Sequence, residues 1–295
     1  MEFTSANQIK GSAIGTEWTI DLYDQLSTFD SRKCLSSLKE CVERFDSLYS
    51  RFRDDSLVSV MAKKEGEYPF PEDGKEMLLL YEKLYKISNG AFTPLIGNLL
   101  VEAGYDASYS FHPQALHSPL TWEKALSYTQ SDLLLKKPVL LDFGALGKGK
   151  LIDEIGALLE KCGVTSYCVD GSGDILHKNT KPLRVGLEHP EKTDQVIGVV
   201  EIKNNSICAS SGNRRKWGEY HHIMNPLTLK PASDILSTWV IAKTAMEADA
   251  LATCLFFVSP KELEKYFSFE YVLLYPDYSI KKSSLFSGEL YYNKK

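Results

Sequence analysis

Two clusters of residues could do chemistry, and each is short. The first is Leu140-Leu141-Asp142-Phe143-Gly144-Ala145-Leu146-Gly147-Lys148-Gly149-Lys150. Glycines let backbone N–H groups approach an anion, a helix beginning there offers partial positive charge, and Lys148 adds a full one. That is chemistry for a phosphate or pyrophosphate, although the spacing fits neither G-x-x-x-x-G-K-[ST] nor G-x-G-x-x-G. The same residues fit a tight turn carrying a solvated lysine. The second cluster is Asp249 and Thr253, four apart in Thr244-Ala245-Met246-Glu247-Ala248-Asp249-Ala250-Leu251-Ala252-Thr253. On a helix that spacing puts a carboxylate and a hydroxyl on one face, two hard oxygen donors suited to Mg²⁺. Seen alone, so short a motif fits a local cap at Asp249 and a back-bonded Thr253 better. His221-His222-Ile223-Met224-Asn225-Pro226 and Ser210-Ser211-Gly212 add a histidine pair and a serine turn. Neither lies in a zinc or nucleophile-elbow motif.

These residues need elements to hold them. The apolar run Val139 to Leu141 predicts a buried strand, and Leu151 to Leu159 predicts a helix ending near Gly163. Ile14 to Tyr23 alternates like a half-buried strand. Ser31–Tyr49 and Glu72–Ser88 carry apolar residues at helical spacing, and the second stops at Asn89-Gly90. Asp55 or Ser56 could cap a short helix. Residues 105–121, rich in Tyr, Ser, His and Pro, read as a surface excursion. Further strands are expected at 166–170, 183–187, 196–202, 207–213 and 236–242, a helix at 244–257, and a terminal strand at 272–275. Strands and helices mix without a βαβ rhythm, which predicts α+β, one compact unit spanning 1–295 with a flexible N-terminus over 1–10.

Composition narrows the function classes. The chain has 295 residues, 43% hydrophobic and 25% charged, the profile of a globular protein. A net charge of −5 argues against a general nucleic-acid binder. No apolar run reaches membrane-spanning length, so no transmembrane segment is expected. The N-terminal residues carry no export signal, which predicts the cytoplasm, or an exported protein whose signal has been removed. Six cysteines without a C-x-x-C pair predict reduced, buried thiols.

Taken in order, the motifs resemble the ApbE family, the FAD:protein FMN transferases. Ile14-Gly15-Thr16, Ser50-Arg51-Phe52-Arg53-Asp54-Asp55-Ser56, Asn89-Gly90-Ala91-Phe92-Thr93-Pro94-Leu95 and Asp142 to Asp153 match family segments. So do Gly171-Ser172-Gly173-Asp174-Ile175, Ser210-Ser211-Gly212, His222-Ile223-Met224-Asn225-Pro226 and Asp249-Ala250-Leu251-Ala252-Thr253. The resemblance implies FAD as substrate, bound along Ile14, Phe52, Ala91, Phe92, Thr93, Asp142, Lys148 and Ile223. It implies Mg²⁺ held by Asp249, Thr253 and the backbone carbonyl of Ala145. It implies transfer of FMN to a Thr or Ser hydroxyl of an acceptor flavoprotein with release of AMP. Lys148 would neutralise the pyrophosphate, and Asp249 and His222 are the two candidate bases. The alternatives are an Mg²⁺-dependent FAD pyrophosphatase and an FAD-binding protein without turnover. The chain departs from the family pattern at Ile14 (Met in the family), Thr93 (Asp), Leu95 (Thr), Asn225 (Asp) and Leu229 (Gly). It therefore resembles a divergent member with its metal residues kept and its flavin pocket altered.

Overall fold

The computed structural model describes residues 1–5, 7–24, 28–129 and 131–291. Among them, nine strands form one sheet: β1 (Glu2–Ser5), β2 (Gln8–Ala13), β3 (Thr16–Leu22), β4 (Tyr167–Gly171), β5 (Asp174–Lys178), β6 (Ser206–Ser211), β7 (Ser237–Ala242), β8 (Glu270–Leu274) and β9 (Ile280–Lys282). Their order across the sheet is their order along the chain, and every neighbouring pair is antiparallel. Antiparallel pairing with segregated helices makes the fold α+β, as expected.

Helices α1 (Thr28–Tyr49), α2 (Glu72–Ile87), α3 (Gly147–Lys161) and α4 (Ala245–Cys254) pack together on one face of the sheet. A small sheet of Leu183–His189, Lys192–Ile202 and Glu289–Leu290 covers the other. The pleat explains why β7 is buried on both sides. Val240 and Ala242 join the helix-side core, while Trp239 and Ile241 join the core under the small sheet. A third apolar cluster, with Leu99, Leu100, Tyr105, Trp217 and Met224 at its centre and Phe52 against it, is built from the short helix Gly97–Glu102, the two-residue strands Lys216–Trp217 and Met224–Asn225, and neighbouring loops. No helix among the described residues is long and apolar enough to cross a membrane.

Several expectations change. Val139 and Leu141 are buried, but the run joins no strand ladder. Its backbone is taken instead by the neighbouring loop: Leu140 N–H donates to Asn98 Oδ1 at 2.8 Å and Asp142 N–H to the Pro94 carbonyl at 2.8 Å. The first ten residues, expected as a flexible terminus, carry β1 and the start of β2, joined edge to edge in the main sheet. The strand at 272–275 is not terminal, since β9 and Glu289–Leu290 follow it. A three-stranded sheet of Gly66–Pro69, Leu126–Tyr128 and Asp132–Leu135 had no counterpart in the sequence reading; its strands are too short to show a period. Ser56 caps the short helix Leu57–Met61 by accepting the Ser59 N–H.

Candidate active site

The glycine turn and the Asp249 helix meet. Asp142 closes its own turn, Oδ1 accepting the Gly144 N–H at 2.7 Å, and α3 starts at Gly147. Gly149 faces α4 so closely that a Cβ there would lie 2.2 Å from the Ala245 carbonyl oxygen. That approach lets the Gly149 N–H donate to Asp249 Oδ2 at 2.9 Å. One turn further along α3, Asp153 accepts the N–H groups of Ala245 and Met246 at 2.8 and 2.9 Å. A carboxylate of one helix thus satisfies orphan donors at the N-terminus of the other and complements its dipole. Thr244 completes the cap by accepting the Glu247 N–H.

Charge is concentrated where the two helices touch the sheet. Lys148 Nζ lies 2.8 Å from Asp174 Oδ2, whose carboxylate is almost fully buried on β5. Asp174 Oδ1 accepts the Ala209 N–H at 3.0 Å. Oδ2 is left to the Lys148 ammonium. Burial lowers the proton affinity of Lys148, but Asp174 and Asp249 outweigh it and hold the ammonium above its usual range. Burial, with the neighbouring Asp174 charge, pushes the Asp249 carboxyl up to about 7. Two enclosed carboxylates therefore face one ammonium, and the surplus negative charge is what a divalent cation would neutralise. Thr253 Oγ1 lies 2.9 Å from Ser210 Oγ, so its hydroxyl does not simply bond back into its own helix. Among the described residues no group of three or more His, Cys, Asp or Glu side chains could hold a metal by itself, so a cation here would also need hydroxyl and carbonyl oxygens.

Two adjoining cavities, of about 640 and 390 Å³, share Phe52, Asp142 and Lys148 in their walls. Ile14 lines the first. Ala91, Phe92, Thr93, Ala145, His222, Ile223, Asp249 and Thr253 line the second. Residues separated by more than 200 positions in sequence are thus brought to one cleft. Their individual states differ. Ile14 is held at φ 44°, a conformation disfavoured for a β-branched side chain. The Thr93 hydroxyl is engaged in accepting the Leu95 N–H at 3.2 Å. Both Asp142 oxygens are engaged, one by Gly144 and the other by Arg51 Nε, so its carboxylate organises the wall. His222 Nδ1 is enclosed without a hydrogen-bond partner, and burial, with Arg215 and His221, pushes the imidazole down to about 3, leaving it neutral near pH 7. His221 Nε2 lies 2.9 Å from the Ala232 carbonyl oxygen. Asn225 Oδ1 accepts the Leu227 N–H at 2.9 Å, the turn contact an Asp would also make. Leu229 keeps φ 57°, the left-handed conformation that suits the glycine of the family pattern.

Sequence reasoning missed Arg51, Tyr105, Asp174, Ser210 and Arg215 as site residues, although all five line the cleft. Arg51, Asp174 and Ser210 sat inside motifs already singled out, which was their signal. Nothing in the sequence marked Tyr105 or Arg215.

Comparison with known proteins is consistent with this geometry. The profile of the ApbE family matches residues 14–272. The chain belongs to the ApbE family. It is 26% identical to a FAD:protein FMN transferase of Treponema pallidum, covering 92% of this chain and 85% of the relative. It is 24% identical to a FAD:protein FMN transferase of Vibrio cholerae, covering 83% and 79%. The fold is similar to that of the flavin transferase ApbE from Vibrio cholerae, with TM-score 0.77, 22% identity, and 94% and 96% of the two chains covered. The ApbE protein of Thermotoga maritima gives TM-score 0.79 at 22% identity, over 94% and 96%.

Proposed function

We propose that this ApbE-family protein is an Mg²⁺-dependent FAD:protein FMN transferase that esterifies a Thr or Ser hydroxyl of an acceptor flavoprotein and releases AMP. The observation that carries the reading is the meeting of Asp249, Asp174 and Lys148 at the start of α3, in a cleft with room for a dinucleotide. The donor set fits Mg²⁺: the Asp249 carboxylate, the Thr253 hydroxyl and the Ala145 carbonyl are all hard oxygens. When bound, the cation would supply charge neutralisation to the pyrophosphate.

The chain's own residues account for the remaining roles. Ile14, Phe52, Ala91, Phe92, Thr93 and Ile223 form walls for FAD. Asp142 acts on that wall through Arg51 and Gly144. Lys148 places an ammonium at the pyrophosphate, stabilising charge that develops on the leaving AMP. The acceptor oxygen attacks the FMN phosphorus, the bond from that phosphorus to the AMP oxygen breaks, and the hydroxyl proton passes to a base. Of the two candidates, Asp249 is committed to the Gly149 N–H and to the cation. His222 Nδ1 is enclosed without a partner, but burial holds its imidazole at about 3, which makes it a weak base, so the geometry favours neither candidate.

Incubation with FAD, Mg²⁺ and candidate acceptor proteins, followed by intact mass, tests the reading. The acceptor should gain one FMN less one water. AMP and FMN without a mass gain would assign the protein as a pyrophosphatase. FAD binding without AMP would make it a binding protein.

A further inference from the structure

Arg51 is an enclosed charged side chain of the cleft, 3% exposed. Four contacts fix its guanidinium. Nε donates to Asp142 Oδ2, and Nη1 donates to the Tyr105 carbonyl at 2.7 Å. The faces of Phe52 and Tyr105 lie 4.2 and 4.7 Å from its central carbon. Nη2 is the exception: it is buried and meets no acceptor. A guanidinium cannot shed its proton to escape this, and an enclosed N–H without a partner is costly. The arrangement holds a rigid donor ready in a wall built from aromatic rings, and the missing acceptor would have to come from a ligand. Arg51 is paired with Asp142, as Lys148 is with Asp174, but Arg51 keeps one directional N–H without an acceptor, set against the aromatic faces of Phe52 and Tyr105. That suits a neutral acceptor on a planar ring.

We propose that Arg51 is a specificity residue of the cleft, its Nη2 donating to a ring acceptor of the dinucleotide. The acceptor is a carbonyl or ring nitrogen of the isoalloxazine, or a ring nitrogen of the adenine. The proposal rests on the reading of FAD as substrate. Either acceptor makes the residue a reader of ring identity rather than of phosphate charge.

The test is calorimetric binding of riboflavin and of AMP, separately, together with FAD, to the full chain and to Arg51→Lys. Lysine retains the ion pair with Asp142 but has no second guanidinium nitrogen. One half-ligand should bind roughly tenfold or more weakly to the variant while the other is unchanged. The arm that falls identifies the ring. Unchanged affinity in both arms, or an equal fall in both, overturns the proposal. An equal fall would mean that Arg51 acts only through Asp142. Failure of wild type to bind FAD at all would instead remove the reading of FAD as substrate. If Arg51→Lys does not fold, wild type is titrated with ligands that lack single acceptors: 2-thio- and 4-thioriboflavin, 1-deazariboflavin, and the 1-, 3- and 7-deaza analogues of AMP. Loss of affinity on removing one acceptor, roughly tenfold, supports the assignment. Equal affinity across each series overturns it.

Discussion

At the scale of single residues, two carboxylates and one ammonium set the charge of the cleft. Lys148 was legible from its glycine-rich setting, but its partner Asp174 was not, because the pairing depends on how β5 lies beside α3. That pairing changes what Lys148→Met should do. Loss of the cation leaves Asp174 and Asp249 without a counter-charge, so stability should fall by on the order of 3 kcal/mol. FAD affinity should fall about ten- to a hundredfold. The double variant Lys148→Met/Asp174→Asn should recover most of the stability and little of the affinity, read by denaturant melts beside fluorescence titration. Recovery of both would mean that Lys148 serves only Asp174. Asp249 has a second duty to the Gly149 N–H, so Asp249→Asn is a cleaner probe than Ala. It should reduce AMP release by roughly 10²–10³-fold with little unfolding, while Thr253→Val should reduce it less.

The Asp249 carboxyl also sets a pH dependence. Its folded value, about 7, lies above the unfolded 3.8, so without a cation the folded state binds the extra proton between them. Its stabilising contribution is complete below 3.8 and is lost as pH rises through about 7. A bound cation competes with that proton, so Mg²⁺ affinity should climb with pH and level off above about 7. Calorimetric titration between pH 5 and 8 measures this, and a flat profile would detach Asp249 from the cation site.

At the scale of elements, the docking of α3 against α4 decides the geometry. Gly149 permits the approach, Asp153 caps α4 from α3, and Asp249 returns the contact. The helices themselves were readable from apolar spacing such as Leu151, Ile152, Ile155 and Leu159. Their docking was not, because Gly149 and Asp153 looked like ordinary residues of a phosphate turn and a helix surface. Gly149→Ala would press a methyl group into the Ala245 carbonyl. It should cost about 1–3 kcal/mol and weaken Mg²⁺ binding, since Asp249 moves with α4. Asp153→Ala would leave two part-buried N–H groups unpaired and should destabilise by about 1–3 kcal/mol. Wild-type melting in both variants would show that the helix contact is not what positions the site. Val139–Leu141 marks the limit of the period argument. A buried apolar run predicts burial, but only a neighbour with free backbone groups makes it a strand, and Asn98 and Pro94 were there instead.

At the scale of the molecule, the helix-side core is continuous from Ile9 in β2 to Leu273 in β8. We therefore expect one cooperative unfolding transition that FAD and Mg²⁺ together move to higher temperature, by mass action on a site shared among sheet, helices and loops. Two resolved calorimetric peaks would argue for separable units. The α+β class was visible in the irregular alternation of strands and helices. The one-directional meander of the main sheet was not, because 144 residue positions separate β3 from β4 while Ser172 and Gly173 alone separate β4 from β5. The central claim is that this cleft transfers FMN. Its most direct measurement is the stoichiometry of AMP released from FAD against FMN gained by an acceptor protein, with Mg²⁺ and with a chelator. The account predicts equal amounts of AMP and ester-linked FMN, both absent with chelator and both absent in Asp249→Asn. AMP formation that persists in that variant, or AMP without any ester-linked FMN across the acceptors tried, would contradict it.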